Sequence, residues 1–293
     1  VHRTIDFESG VGAAVPCTFD AAVPNSMRSQ GKLDLSFAVR GGRSFVQRSY
    51  QSGCLRMRQP RPENDDARPC AVIINTSGGL AEGDRLEQRV SWEAGSAATV
   101  TTQAAEKVYR ALSAGSVIDT RIDVAEGAHA EWLPQETILF DKARLRREAR
   151  IMLADGVSFL GLEAVIFGRS AMGERMLGGA LHDGMRIYRN GRLIYADALE
   201  IAGDVDALLR KAAVADGAGA MAVLVHASAE VARLLPAVRD ALAGARGRAA
   251  ASSWNGLLAV RFLAPDGASL RHDVIAALGV LRGERPLPRV WGC

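Results

Sequence analysis

The 293-residue sequence predicts a mainly β fold, with stacked hairpins forming a β-helix-like body and a small C-terminal α/β portion. Three observations carry this. From about Gly31 to Ile201, short runs rich in β-formers are separated by Gly, Asn or Asp turns at roughly 8 to 12 residue spacing. Within that stretch "WEAGSAATV", "VAEGAHAEWL" and "LADGVSFLGLEAV" each place a turn, at Gly95, Gly127 or Gly156, between two strand candidates. Recurrence at about 30 residues suggests stacked copies of one supersecondary unit. The tail then changes texture to Ala/Leu-rich runs with apolar residues three and four apart, the helical period.

Taken in order, "KLDLSFAV" alternates as a half-buried strand does, and "CAVIIN" is a short apolar run of strand length. "SGGLAEGDRL" (Ser77 to Leu86) is a tight glycine turn leading into "RLEQRVSW". "ATVTTQ" and "SVIDTRIDV" continue the strand series. "EWLPQETILFD" (Glu131 to Asp141) asks for a buried strand, with Trp132, Leu133, Ile138, Leu139 and Phe140 as anchors. Its Glu131, Gln135 and Glu136 are then expected to face an internal wet surface or a partner. "DVDALLRKAAV" and "SAEVARLLPAVRDALAGAR" read as helices around the strand candidate "AMAVLVHA". "GRAAASS" reads as a short flexible connector. "GLLAVRFLAPDG" and "HDVIAALGVLRG" then repeat the strand-helix order. The expected organisation is an N-terminal extension over 1–30, a β-rich body over 31–201 and a C-terminal α/β portion over 202–293, packed as one compact unit.

Composition narrows the function. A hydrophobic fraction of 48% and a charged fraction of 24% belong to an ordinary globular chain. No apolar run reaches the roughly 18 residues of a transmembrane helix, and "VHRTIDFESG" lacks the layout of a signal peptide, so a cytoplasmic protein without membrane association is expected. Net charge is +3, but basic and acidic residues are interspersed, which argues against nucleic-acid binding. Cys17, Cys54, Cys70 and Cys293 follow neither a disulfide framework nor paired zinc spacing, so reduced thiols are expected.

The usual catalytic constellations are absent. There is no phosphate-loop lysine in "SGGLAEGDRL", and "GRSAMGE" has G-x-S-x-x-G where a nucleophile elbow has G-x-S-x-G, making Ser170 a turn residue. His2, His129, His182, His226 and His272 are solitary, and only His182 beside Asp183 forms a pair worth testing. What remains is carboxylates in apolar β runs: Asp84, Glu106, Glu131, Glu136, Glu163 and Asp197. Most acids in half-buried strands point to solvent. Glu163 differs, because the run from Val157 to Phe167 looks covered on both faces and a buried carboxylate needs a partner, water or cation.

"INTSGGLAEGDRL", "TTQAAEKVYRA", "EWLPQETILFD", "GLEAVIFGRSAMGE" and the closing "LPRVWGC", in that order, resemble the urease accessory protein UreD (UreH) family from about Gly31 onward. The resemblance implies a non-enzymatic scaffold and metallochaperone that binds UreF and, through it, the GTPase UreG. The hetero-oligomer docks on apo-urease while nickel and carbon dioxide are delivered. It also implies a β-solenoid-like fold, a water-filled internal passage for nickel, and no tightly bound cofactor, with Ni(II) held only in transit. By motif, Asp84 matches the acid closing the family's Gly-Gly turn segment and Glu163 the acid before its Gly-Arg motif. Glu106 and Asp197 fall at looser polar positions, and these four are the proposed transient nickel residues. Isolated carboxylates suit a site that must release its ion. Many relatives have His-Pro-Pro before the double glycine, where this chain has Asn75, Thr76 and Ser77. The competing expectation is a metal-dependent hydrolase using Asp84, Glu163 and a histidine such as His182.

Overall fold

The computed structural model describes residues 28–61, 68–169, 172–283 and 285–292. Cys17, Cys293, His2, Ser170 and most of the expected N-terminal extension lie outside the described residues. Within them the chain is a β-solenoid-like stack of coils closed at its C-terminal end by antiparallel strands and helices.

The first strand, β1 (Gln30–Arg40), makes a hairpin with β2 (Arg43–Gly53) through Gly41 and Gly42. β3 (Leu55–Arg58) pairs antiparallel with β4 (Cys70–Asn75). Three coils follow. The first contains β5 (Arg85–Trp92), β6 (Ala97–Thr102) and β7 (Glu106–Val108); the second β8 (Ser116–Val124), β9 (His129–Leu133) and β10 (Thr137–Leu139); the third β11 (Arg144–Leu153) and β12 (Ser158–Phe167). Equivalent strands of successive coils pair in parallel: β1, β5, β8, β11 and then β13 (Gly178–Arg189) in one sheet, and β4, β6, β9 and β12 in the other. The repeat of about 30 residues is therefore the coil length.

The turn between the two sheets recurs at Gly95, Gly127 and Gly156, all left-handed, with φ of 68°, 67° and 64°. A methyl added at Gly127 would sit 4.0 Å from the Gly95 Cα, so the turns of the first two coils stack on one another. Glycine is needed there because an L side chain is strained at such φ.

Both sheets end in antiparallel strands. β14 (Arg192–Asp204) folds back antiparallel on β13, and β15 (Ala220–Ala227) pairs antiparallel with β12, followed by β17 (Leu257–Ala264) and β16 (Arg248–Trp254). A helix α2 (Val231–Ala241) and a longer α3 (Gly267–Arg282) cover the outside of these strands. α3 begins where Asp266 accepts the Ser269 N–H at 2.8 Å, a side-chain N-cap.

β12 thus has both faces covered, as its apolar run suggests. Phe159, Val165 and Phe167 pack between the sheets, and Leu160, Leu162 and Ala164 pack under the helices.

Three local expectations are corrected. "GRAAASS" is not a connector, because β16 occupies it as the edge strand beside β17, its small residues lying along a partner that supplies the ladder. "DVDALLRKAAV" is helical only over α1 (Val205–Arg210), since Lys211 is extended and a turn follows through left-handed Asp216 and Gly217. "EWLPQETILFD" is two strands, β9 and β10, with a corner at Pro134, which has no N–H to give a ladder.

Candidate functional site

The polar interior is built by charged residues that sit on the inward parity of their strands. On β11 the inward series is Leu145, Arg147, Ala149 and Ile151; on β13 it is Leu181, Asp183, Met185 and Ile187. Arg147 and Asp183 share a register position, so alternation places them side by side between the sheets. From the facing sheet, β12 projects Glu163 at the same level.

Arg147 is 4% exposed and each of its three guanidinium nitrogens is engaged. Its Nη1 lies 2.6 Å from Glu163 Oε2 and donates to Thr137 Oγ1 at 3.1 Å. Its Nε and Nη2 grip Asp183 at 2.8 Å and 2.5 Å. Trp132 Nε1 donates to the other Glu163 oxygen at 3.2 Å. Burial pushes the Glu163 carboxyl up, Arg147 pulls it down, and nearby Asp183 pushes it up again, leaving it above the usual carboxylate range. Thus the buried acid finds an arginine.

Asp197 on β14 accepts the Tyr195 hydroxyl at 2.9 Å and pairs with Arg261 at 3.0 Å. A cavity of about 280 Å³ is lined by Glu163, Asp183 and Asp197 together with Met185, Met221 and Arg261. Two of the four proposed nickel residues therefore meet in one space.

The other two meet elsewhere. Asp84 closes the glycine turn by accepting the Ser29 and Ala81 N–H groups, each at 2.8 Å, a structural task. Close by, Glu106 opens β7 and receives the Asn75 amide at 3.1 Å and 3.2 Å. Burial raises the Glu106 carboxyl to about 7; Asn75 and the Lys107 N–H resist this, and the charge of Asp84 adds to it. The Cys54 thiol, raised mainly by burial, feels both carboxylates. Gly79 packs beside this site at φ 147°, where any Cβ would meet the Lys107 carbonyl oxygen at 2.8 Å.

Glu131, Gln135 and Glu136 face the C-terminal segment. Glu131 receives Thr99 Oγ1 at 2.6 Å and pairs with Arg282 at 3.0 Å and Arg285 at 2.6 Å. Burial opposes its charge, but these guanidiniums and Thr99 overcome that and hold its carboxyl below the usual range. Gln135 donates to the carbonyls of Gln103 at 3.1 Å and Val290 at 2.8 Å, and accepts from Arg271. Glu136 lies 3.4 Å from Arg271. Trp291 Nε1 adds a bond to Thr101 Oγ1 at 3.1 Å. The polar residues of "EWLPQETILFD" fasten α3 and the tail to the solenoid.

His182 and Asp183 point to opposite sides of their sheet. His182 Nε2 is 2.8 Å from Glu148 on the outer face, while Asp183 is inside, so they do not combine. His226 is buried against the Phe159 carbonyl oxygen at 3.1 Å. Among the described residues, no three His, Cys, Asp or Glu side chains converge to hold a metal ion. Cys54 and Cys70 are free thiols. No helix of the described residues is long and apolar enough to cross a membrane.

Sequence reading missed Arg147, Asp183 as Arg147's partner, Arg261, Arg282 and Arg285. For Arg147 and Asp183 a signal existed, since each is a charge on the apolar parity of an alternating strand. For Arg282 and Arg285 none existed, because their partner Glu131 is some 150 residues away.

Comparison with known proteins adds a family. The UreD urease accessory protein family model matches residues 29–292. A urease accessory protein UreD of Azorhizobium caulinodans is 43% identical over 271 residues, 92% of this chain and 99% of the relative. A urease accessory protein UreD 3 of Bradyrhizobium sp. strain BTAi1 is 41% identical over 278 residues, 95% of this chain and 99% of the relative. A urease accessory protein UreD of Rhodopseudomonas palustris strain BisB18 is 42% identical, covering 94% of this chain and 98% of the relative.

Proposed function

This chain belongs to the UreD family of urease accessory proteins, and from that premise we propose that it is a scaffold and metallochaperone for urease maturation. It is an accessory protein, not an enzyme. It binds UreF, through UreF the GTPase UreG, and docks with them on apo-urease in the cytoplasm, where nickel is handed to the urease active site. The observation that carries this is the family match over residues 29–292, which spans all three coils and the C-terminal cap.

Nickel in this reading is cargo, held only in transit. Carboxylate oxygens suit that task because they bind a divalent ion without the grip of clustered thiolates or imidazoles. Glu106 is the best placed of the four. Its hydrogen bonds come from a neutral amide and a backbone N–H, and a carboxyl near 7 exchanges a proton for a cation at neutral pH. Asp84 holds a neighbouring negative charge. Glu163 and Asp197 share the inter-sheet cavity, but each is paired with an arginine, so a passing cation there competes with Arg147 or Arg261. Glu131 and Gln135 are committed to the tail. Glu136, buried beside Arg271, lines an open groove with Ile138 and the exposed Met172.

The test is co-expression of the tagged chain with UreF and UreG, purification, and addition of apo-urease with nickel and bicarbonate. A stoichiometric complex and urease activity that depends on this chain support the reading. Absence of both refutes it.

A further inference from the structure

The parallel register does something on the outer face of the first sheet that the accessory role does not explain. Arg89 on β5, Arg121 on β8, Arg150 on β11 and Arg186 on β13 are successive register partners, so four arginines stand in file across four strands. Strand spacing sets the separation of their Cα atoms at about 4.8 Å. Arg89, Arg121 and Arg150 are exposed and Arg186 is half-buried.

The next row, one alternation away, is acidic: Glu87, Asp119 and Glu148. Those acids are largely engaged by basic residues outside the file. Lys32 reaches Glu87 at 3.3 Å, Arg85 reaches Asp119 at 3.4 Å, and His182 reaches Glu148 at 2.8 Å. Arg186 also takes Glu148 at 2.9 Å, where Gly184 leaves room for the carboxylate, and Arg121 takes Asp123 at 2.9 Å. Among the described residues, Arg89 and Arg150 have no hydrogen bond or ion pair. A shallow groove of about 620 Å³ runs along these rows.

Like charges directly opposite one another on neighbouring strands destabilise a sheet. A face shaped for stability alone would alternate their sign. Four arginines in file, two of them unpaired, instead offer forked donors for carboxylates at regular spacing. We propose that this arginine file is a docking surface for an acidic α-helix of a partner protein, its carboxylates three and four residues apart. On a helix those side chains lie about 5 to 6 Å apart, close to the file's spacing. On an extended segment same-side residues are about 6.6 Å apart and fall out of step within two positions. The file lies on the opposite side of the sheet from Glu163 and Asp183, so its occupancy is separable from nickel handling.

The experiment measures anisotropy of a fluorescein-labelled Ala-rich helical peptide with Glu at every fourth position. It is titrated at low salt with the purified full chain, with Arg89→Glu/Arg150→Glu, and with the exposed control Arg58→Glu/Arg233→Glu. The proposal expects binding by the parent, about tenfold or greater weakening in the first variant, and near-parent binding by the control. Arg89→Gln/Arg150→Gln gives a smaller loss in the same direction and guards against misfolding of the charge-reversed chain. The proposal is overturned if the parent does not bind or if both double variants bind as the parent does. It is also overturned if a same-charge peptide with Glu scattered around the helix, or a single-stranded oligonucleotide, binds equally well. No urease is present, so failure here leaves the accessory role standing.

Discussion

Arg147 on β11 and Glu163 on β12 face each other across the interior, with Nη1 2.6 Å from Oε2, and so join the two sheets by a buried ion pair. Asp183 completes the set from the strand beside Arg147. Removing the arginine leaves the buried Glu163 and the half-buried Asp183 without a counter-charge, which costs about 3–5 kcal/mol. Arg147→Met is therefore expected to lose that much in equilibrium urea unfolding. Glu163→Gln, which keeps an acceptor for Arg147 and removes a carboxylate whose charge burial opposes, is expected to lose markedly less. Equal losses would contradict this arrangement.

Glu106 makes stability depend on pH in the direction opposite to a paired acid. Its folded carboxyl is near 7 and its unfolded one near the ordinary value, so between these the folded state binds the extra proton. Stability from this group is present at low pH and is lost as pH rises toward and through 7. Glu106→Gln is then expected to gain on the parent by on the order of 1 kcal/mol between pH 5 and 8. Thermal midpoints of the two across that range check it. Parallel curves would contradict it.

Glu131 has the opposite sign. Its carboxyl is held low, so its contribution is present above the ordinary carboxylate value and is lost as pH falls through the depressed one. Arg282→Met removes the most buried of its cations. It is expected to cost about 3 kcal/mol and to release the segment carrying Val290 and Trp291, seen as faster hydrogen exchange there than in β5 or β8.

The glycine turns test the coil geometry. Gly127→Ala places a side chain at φ 67° and is expected to cost about 1–2 kcal/mol. Gly267→Ala is a contrasting case of crowding, since a Cβ there meets Ile166 Cδ1 at 2.5 Å without a left-handed backbone. Thermal unfolding of Gly127→Ala and Gly127→Asn separates backbone strain from packing, because Asn tolerates the left-handed region and should recover part of the loss.

The coils were legible because their cause is local. Gly95, Gly127 and Gly156 mark the same turn in each repeat, and alternation fixes which residues go inward. The C-terminal strands were legible as apolar runs, but β16 was not, since an Ala/Ser edge strand exists only because β17 offers it a ladder. In the site, Glu163 stood out by its apolar surroundings. Its pairing with Arg147 depends on coil stacking, which sets residues 16 positions apart on opposite walls. The fastening of Glu131 by Arg282 and Arg285 is a tertiary event with no local trace.

Whether this chain is needed to put nickel into urease is decided by the nickel content of purified apo-urease after incubation with nickel, bicarbonate, UreF and UreG. The parent chain, Glu106→Gln, and no chain are compared. Loading is expected with the parent, severalfold slower loading with Glu106→Gln although the complex still forms, and little loading without the chain. Equal nickel content with and without the chain would contradict the metallochaperone role.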